Sequence, residues 1–284
     1  MKKYTKVVKS FLALVTPAIA TSILTTLPSQ AATFASSESQ FNINNFSSSP
    51  VDVVRTFTDN KTTAISTGGQ VTADAKAEAE FNIDANNSAS NLSFSQAEGH
   101  GDGYTGSAES FAAIIGYDFI VDKEFSFDFS GLFNLKTSID DAVTERANAR
   151  GEFLYELYDS ETRELLDSFK ISGNLSTIGN NDAFVFEPSS SITFDSKTSE
   201  QYFGGTKEYA FTTFKGKYSR TFDKSTRLTL IESKSNQVSV YTIPEPSTIL
   251  GSLFSCTMFG AVSIRKRKRA SSAALLVNKD LRSV

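Results

Sequence analysis

The residues with the densest chemical potential run Glu98-Gly99-His100-Gly101-Asp102-Gly103-Tyr104, where the one histidine of the chain stands between two carboxylates in a glycine-rich stretch. An imidazole beside Glu98 and Asp102 has the makings of a general base or of a metal site. Such sites ordinarily recruit a second imidazole or a positioned nucleophile, and the chain has no second His and a single Cys. The expectation is therefore a polar surface turn, with no catalytic residue and no metal ligand assigned. Asp140, Asp141, Asp182 and the stretch Asp84 to Asn87 offer oxygen ligands to Ca2+, but none follows a defined calcium-loop spacing, so solvated turns are expected there as well. Calcium is the one cofactor left open. Carboxylate pairs suited to glycoside hydrolysis occur in any acidic domain and select nothing without positions.

The elements that must carry these residues read as strands. Phe125-Ser126-Phe127-Asp128-Phe129-Ser130 places three rings on one side and polar groups on the other. Phe184-Val185-Phe186, Ser191 to Phe194, Arg227 to Leu230 and Val238 to Tyr241 repeat the pattern. Phe153 to Tyr158 and Leu165 to Phe169 flank the polar Asp159-Ser160-Glu161-Thr162, a hairpin signature. Thr72 to Glu80 has a helix-forming composition, yet it alternates Ala with polar residues and is read as a strand in preference to a helix, while Ser138 to Ala149 reads as a short helix or loop. Ser172-Gly173-Asn174, Gly179 to Asp182 and Gly204-Gly205 are read as turns. Short strands at this spacing predict an all-β, antiparallel two-sheet sandwich, jelly-roll-like, over residues 32–242.

Composition agrees with a β-rich interior: 24 Phe, no Trp, 39% hydrophobic and 21% charged residues among 284. Of 28 basic and 32 acidic residues, 11 and 2 lie in 1–31 and 244–284, which leaves 17 and 30 between them. A middle segment at −13 is repelled by phosphates, so nucleic acid is not expected as a partner. A lone Cys256 rules out an internal disulfide; it reads as an apolar filler. The sequons at Asn45, Asn60, Asn86, Asn91 and Asn174 are read as polar loops, and Ser47 to Ser49 and Ser189 to Ser191 as candidate O-linked sugar acceptors.

Both ends read as addressing. Lys2, Lys3, Lys6 and Lys9 precede an apolar run from Phe11 to Leu27, and Ser29 and Ala31 are small residues at the spacing of a signal-peptide exit. Residues 1–31 are therefore expected to be a signal peptide with a helical core, cut by signal peptidase between Ala31 and Ala32. At the other end Pro244-Glu245-Pro246 enforces an extended segment. Ser247 or Thr248 can cap a helix that runs from Ile249 to Ile264, followed by Arg265-Lys266-Arg267-Lys268-Arg269. That helix spans about 24 Å, and snorkelling by the first cations covers the shortfall to a bilayer of roughly 30 Å. The five cations stay cytoplasmic, so both ends place 32–243 outside. Ala270 to Val284 form a cytoplasmic tail.

Pro-Glu-Pro-Ser-Thr, an apolar helix and an Arg/Lys cluster, in that order over 243–269, resemble the PEP-CTERM sorting signal of Gram-negative bacteria and cyanobacteria. The resemblance implies recognition and processing by an exosortase, with Pro244, Glu245 and Pro246 as the sorting motif, 249–264 as the transmembrane helix and Arg265 to Arg269 as the stop. It also implies a setting of extracellular polysaccharide, biofilm or floc. The expectation is a non-enzymatic surface or extracellular-matrix protein, anchored in the membrane until processed and structural or adhesive in role. The alternatives are a carbohydrate-binding or calcium-dependent adhesion module and, third, a secreted hydrolase.

Overall fold

The computed structural model describes residues 33–51, 54–82, 88–179 and 181–243, the side chains of 117 and 118 excepted. Among these residues the chain forms twelve strands and no helix. They are β1 (Thr33–Asn44), β2 (Val54–Ser66), β3 (Gln70–Asn82), β4 (Ser88–His100), β5 (Tyr104–Val121) and β6 (Glu124–Ser138), then β7 (Glu145–Asp159), β8 (Leu165–Ser176), β9 (Ala183–Glu187), β10 (Ile192–Tyr202), β11 (Lys207–Thr221) and β12 (Thr226–Thr242). Two six-stranded sheets result, ordered β10-β11-β6-β1-β4-β3 and β2-β5-β12-β7-β8-β9. Every ladder is antiparallel. The signal helix and the tail helix expected from the sequence lie outside the described residues.

The first strand and the last are central, each hydrogen-bonded on both flanks: β1 to β4 and β6, β12 to β5 and β7. Tyr104 brings their outer ends together. Its hydroxyl donates to Thr33 Oγ1 at the start of β1 (2.6 Å), and its backbone N–H donates to Thr242 Oγ1 at the end of β12 (3.1 Å).

Between the sheets the core changes character along its length. One end is aromatic: Phe125, Phe127 and Phe129 of β6 point inward at alternate positions and meet Phe119, Phe169, Phe214 and Tyr218, and Phe153 packs edge-on against Phe169. Phe127 stacks on Tyr218 with ring centroids 4.9 Å apart. Burying each such ring stabilises by roughly 1.5–3 kcal/mol, with about 0.5–1.5 kcal/mol more per favourable ring pair. The other end is built of smaller residues, among them Ala35, Ala97, Ala108, Ala147, Ala149, Val238 and Val240.

Most of the expected strands are present, including Thr72 to Glu80 within β3 and the hairpin of β7 and β8. Four details differ. Arg227–Leu230 and Val238–Tyr241 belong to one strand, β12, because the polar residues between them continue the alternation. Gly173 is not a turn but the partner of Gly151 in the β7–β8 ladder. A Cβ there would come within 2.6 Å of Leu135 Cδ1 on the opposite sheet, so the glycine serves close sheet approach. Residues 139–144 are the loop between β6 and β7, whereas Ser138 and 145–149 are strand. Of the described sequons only Asn45 lies in a loop, at φ 56; Asn60, Asn91 and Asn174 are in strands, and Asn91 is buried.

Candidate functional site

The histidine segment closes the β4–β5 hairpin. Gly101 and Gly103 hold left-handed backbone (φ 73 and 68) that turns the chain, and Gly103 accepts from the Thr67 N–H at 2.7 Å. Glu98 and His100, two apart on β4, fall on the same face, away from the second sheet. His100 Nε2 lies 3.1 Å from Glu98 Oε1, with both side chains partly exposed. The fold thus pairs Glu98 with His100. It assembles no group of three metal-ligating side chains among the described residues, so Asp102 does not complete a site.

Two of the carboxylates weighed for calcium, Asp141 and Asp182, accept hydrogen bonds from their own turns. Asp141 accepts from the Val143 N–H (2.8 Å) and the Thr144 hydroxyl (2.7 Å), which hold its carboxyl below the ordinary range. Glu145 Oε2 accepts the N–H groups of Asp140 and Asp141, and Asp182 Oδ1 accepts that of Ser176 (2.8 Å). Asp84 to Asn87 lie outside the described residues. Ser191, a candidate sugar acceptor, donates its hydroxyl to Asp167 Oδ2 at 2.6 Å.

The concentrated chemistry is inside. Between the aromatic and small-residue ends of the core, β12 turns Glu232, Lys234 and Asn236 inward at successive alternate positions, all about 1% exposed. Asn236 Oδ1 accepts from the hydroxyls of Ser37 (2.6 Å) and Ser39 (3.1 Å) of β1, and its Nδ2 donates to the Ser93 carbonyl of β4 (2.6 Å). Ser93 and Ser95 both share hydrogen bonds with Ser110 of β5. Glu232 Oε2 accepts from Asn91 Nδ2 of β4 at 2.6 Å, and its Oε1 pairs with Lys234 Nζ. Burial pushes the Lys234 ammonium down to about 8 against the opposing pull of Glu232, and raises the Glu232 carboxyl despite Lys234. Sequence reading named Asn91 only as a sequon in a polar loop and missed the other residues of this layer. The available signal was parity, since Glu232, Lys234 and Asn236 share the alternation frame of Leu228, Leu230, Val238 and Val240.

The outward face of the second sheet is polar and open. Lys61, Glu109, Gln237, Arg150 and Asn174 form one row across β2, β5, β12, β7 and β8; Asp59, Phe111, Ser235, Glu152 and Ser172 form the next. Gln237 donates to Glu109 at 2.9 Å, and Lys170 pairs with Glu152 at 3.2 Å. Two shallow clefts open here, one of about 220 Å³ between Asp59, Lys61, Glu109 and Phe111, the other of about 270 Å³ between Arg150, Glu152, Lys170 and Asn174. Phe111 is 40% exposed.

The addressing residues, namely Ala31, Ala32, Pro244, Glu245, Pro246, Arg265, Lys266, Arg267, Lys268 and Arg269, lie outside the described residues. Among the described residues no helix is long and apolar enough to cross a membrane, and 249–264 is not among them.

No family model matches the chain, and no curated protein matches it. Among solved structures, the crystal structure of the lysenin pore is 8% identical over 67% of this chain and 98% of that one, with a TM-score of 0.10, a likeness that carries no argument about fold or function.

Proposed function

We propose that the chain is an exported surface or extracellular-matrix protein whose jelly-roll-like sandwich is a non-enzymatic structural or adhesive module, delivered by an exosortase through Pro244-Glu245-Pro246. The observation that supports a contact role is the pair of polar rows on the second sheet, which offers amides, hydroxyls and both signs of charge on an open five-strand surface. Such a surface suits broad, wet contact with a polymer such as extracellular polysaccharide. The signal-like start and the motif, helix and basic cluster at the other end supply the address.

A second reading, a carbohydrate-binding module, is favoured by one feature: Phe111 stands exposed among hydrogen-bonding side chains beside a cleft, an apolar face against which a sugar ring can stack. Glycan-array binding that is lost on Phe111→Ala and insensitive to chelator is the outcome this reading expects.

The deciding experiment is mass spectrometry of the protein recovered from the native envelope and medium, reading both termini. A chain that begins at Ala32 and ends between Pro244 and Thr248 is expected. A chain that retains Arg265 to Val284 overturns exosortase delivery.

A further inference from the structure

Glu232 brings an amine and a primary amide to one carboxylate. Its Oε1 pairs with Lys234 Nζ, and its Oε2 accepts a 2.6 Å hydrogen bond from Asn91 Nδ2. The three residues belong to different sheets, Asn91 to β4 and the other two to β12, and all are buried. The amine sits 5.8 Å from the ring centroid of Phe41 and 5.4 Å from that of Phe153. Phe41 is also the cross-strand neighbour of Asn91, so amine and amide share one aromatic-walled chamber. The Asn91 carbonyl oxygen is buried there without a hydrogen-bond partner among the described residues.

An ion pair so deeply buried carries a desolvation penalty of several kcal/mol per ion. Passing one proton from the amine to the carboxylate removes both charges, and the opposed shifts of Lys234 and Glu232 run in that direction. A neutral, desolvated lysine is a nucleophile, and a dry chamber keeps competing hydrolysis away from the amide it faces.

We propose that Lys234 and Asn91 are joined by an intramolecular amide bond, with Glu232 as the proton carrier. Lys234 Nζ bonds to Cγ of Asn91, and the Cγ–Nδ2 bond breaks. The Glu232 carboxyl gives its proton to the departing Nδ2 and takes one from Nζ, so one ammonia leaves and the carboxyl is regenerated. No oxidant, reductant or cofactor enters the balance. The product stitches the two sheets together through their middle and closes the chain between positions 91 and 234, which restricts the unfolded state as a disulfide would. A domain with no cysteine among residues 33–243 gains a covalent brace that is insensitive to redox conditions.

The test is peptide mapping by mass spectrometry of the denatured full-length chain. The expected result is a branched tryptic peptide joining the Asn91 and Lys234 segments, lighter than the two linear peptides by one ammonia, with no cleavage after Lys234. Glu232→Gln is expected to return the two linear peptides. Linear peptides from the wild-type chain, with Asn91 intact and cleavage after Lys234, overturn the bond. A branched peptide undiminished in Glu232→Gln overturns the role of the carboxylate. The wild-type map is decisive even where a variant fails to fold.

Discussion

Asn236 of β12 and Gly151 of β7 are cross-strand partners, and the side chain that Gly151 lacks would occupy the space taken by the Asn236 amide: a Cβ on Gly151 would stand 2.8 Å from Asn236 Oδ1 and 2.9 Å from both Ser37 Oγ and Phe133 Cζ. The glycine therefore makes room for the polar layer rather than for a turn. Gly151→Ala is expected to lower stability by about 1–3 kcal/mol through overpacking, read as a lower urea midpoint. A midpoint equal to wild type would mean that the sheets part without strain.

Truncating Asn236 itself should be costlier than its size suggests. Asn236→Ala leaves the Ser39 hydroxyl and the Ser93 carbonyl to find other partners in a dry interior, while the Ser37 hydroxyl keeps only the Arg150 carbonyl. At about 1–3 kcal/mol per group left unsatisfied, the expected loss exceeds that of Gly151→Ala, and chemical denaturation checks the ranking.

In the aromatic half, Phe127→Ala removes a ring that stacks on Tyr218 and meets Tyr155 edge-on at 5.6 Å. The expected cost is about 3–5 kcal/mol, seen as a large drop in thermal midpoint. A small drop would show that the surrounding rings collapse into the space.

Asp167 fastens β8 of one sheet to β11 of the other. Its Oδ2 accepts from the Ser191 hydroxyl (2.6 Å) and the Tyr218 hydroxyl (3.1 Å), with Arg220 Nη1 3.5 Å away. Burial pushes its carboxyl up, but hydrogen bonds from Ser189, Ser191 and Tyr218 outweigh it and hold the group below the usual range. A depressed carboxylate contributes stability that is complete above its unfolded value of about 3.9 and disappears as pH falls through its lower folded value. Asp167→Asn should therefore destabilise at pH 7 and flatten the acid limb of the stability–pH curve. An unchanged acid limb would refute this assignment.

Calcium should leave the thermal midpoint where it is, because both oxygens of Asp141 and one oxygen each of Glu145 and Asp182 already accept from their own turns. Melting with excess Ca2+ and again with chelator checks this, and a rise of several degrees with calcium would revive a calcium-dependent adhesion role.

Apolar residues made the fold legible where they alternate. The Phe125, Phe127, Phe129 series, the Phe153 to Phe169 hairpin and the Ala-rich β3 all follow that rule. The rule fails in β4, where Asn91, Ser93 and Ser95 point inward while the bulkier Leu92 and Phe94 point away. Hydrophobic alternation read there would have placed the wrong face inside, because hydrogen bonds to Glu232, Asn236 and Ser110 repay the burial of polar groups only when strands distant in sequence come together. The buried triad was illegible for the same reason: Asn91 and Glu232 are 141 positions apart. His100 drew attention by its rarity, yet what the fold gives it is a partly exposed neighbour, Glu98.

The meeting of Thr33 and Thr242 at Tyr104 has a mechanical consequence. Tension applied to the chain beyond β12 enters a 17-residue strand, roughly 55 Å long at about 3.3 Å per residue, that is clamped by a ladder on each side. Peeling it requires two ladders to yield together, whereas an edge strand would surrender one. Whatever grips the molecule by that end also leaves the opposite end, with Asp122-Lys123, Ser160 to Glu164 and Phe222 to Ser225, as the part that reaches farthest from the point of attachment.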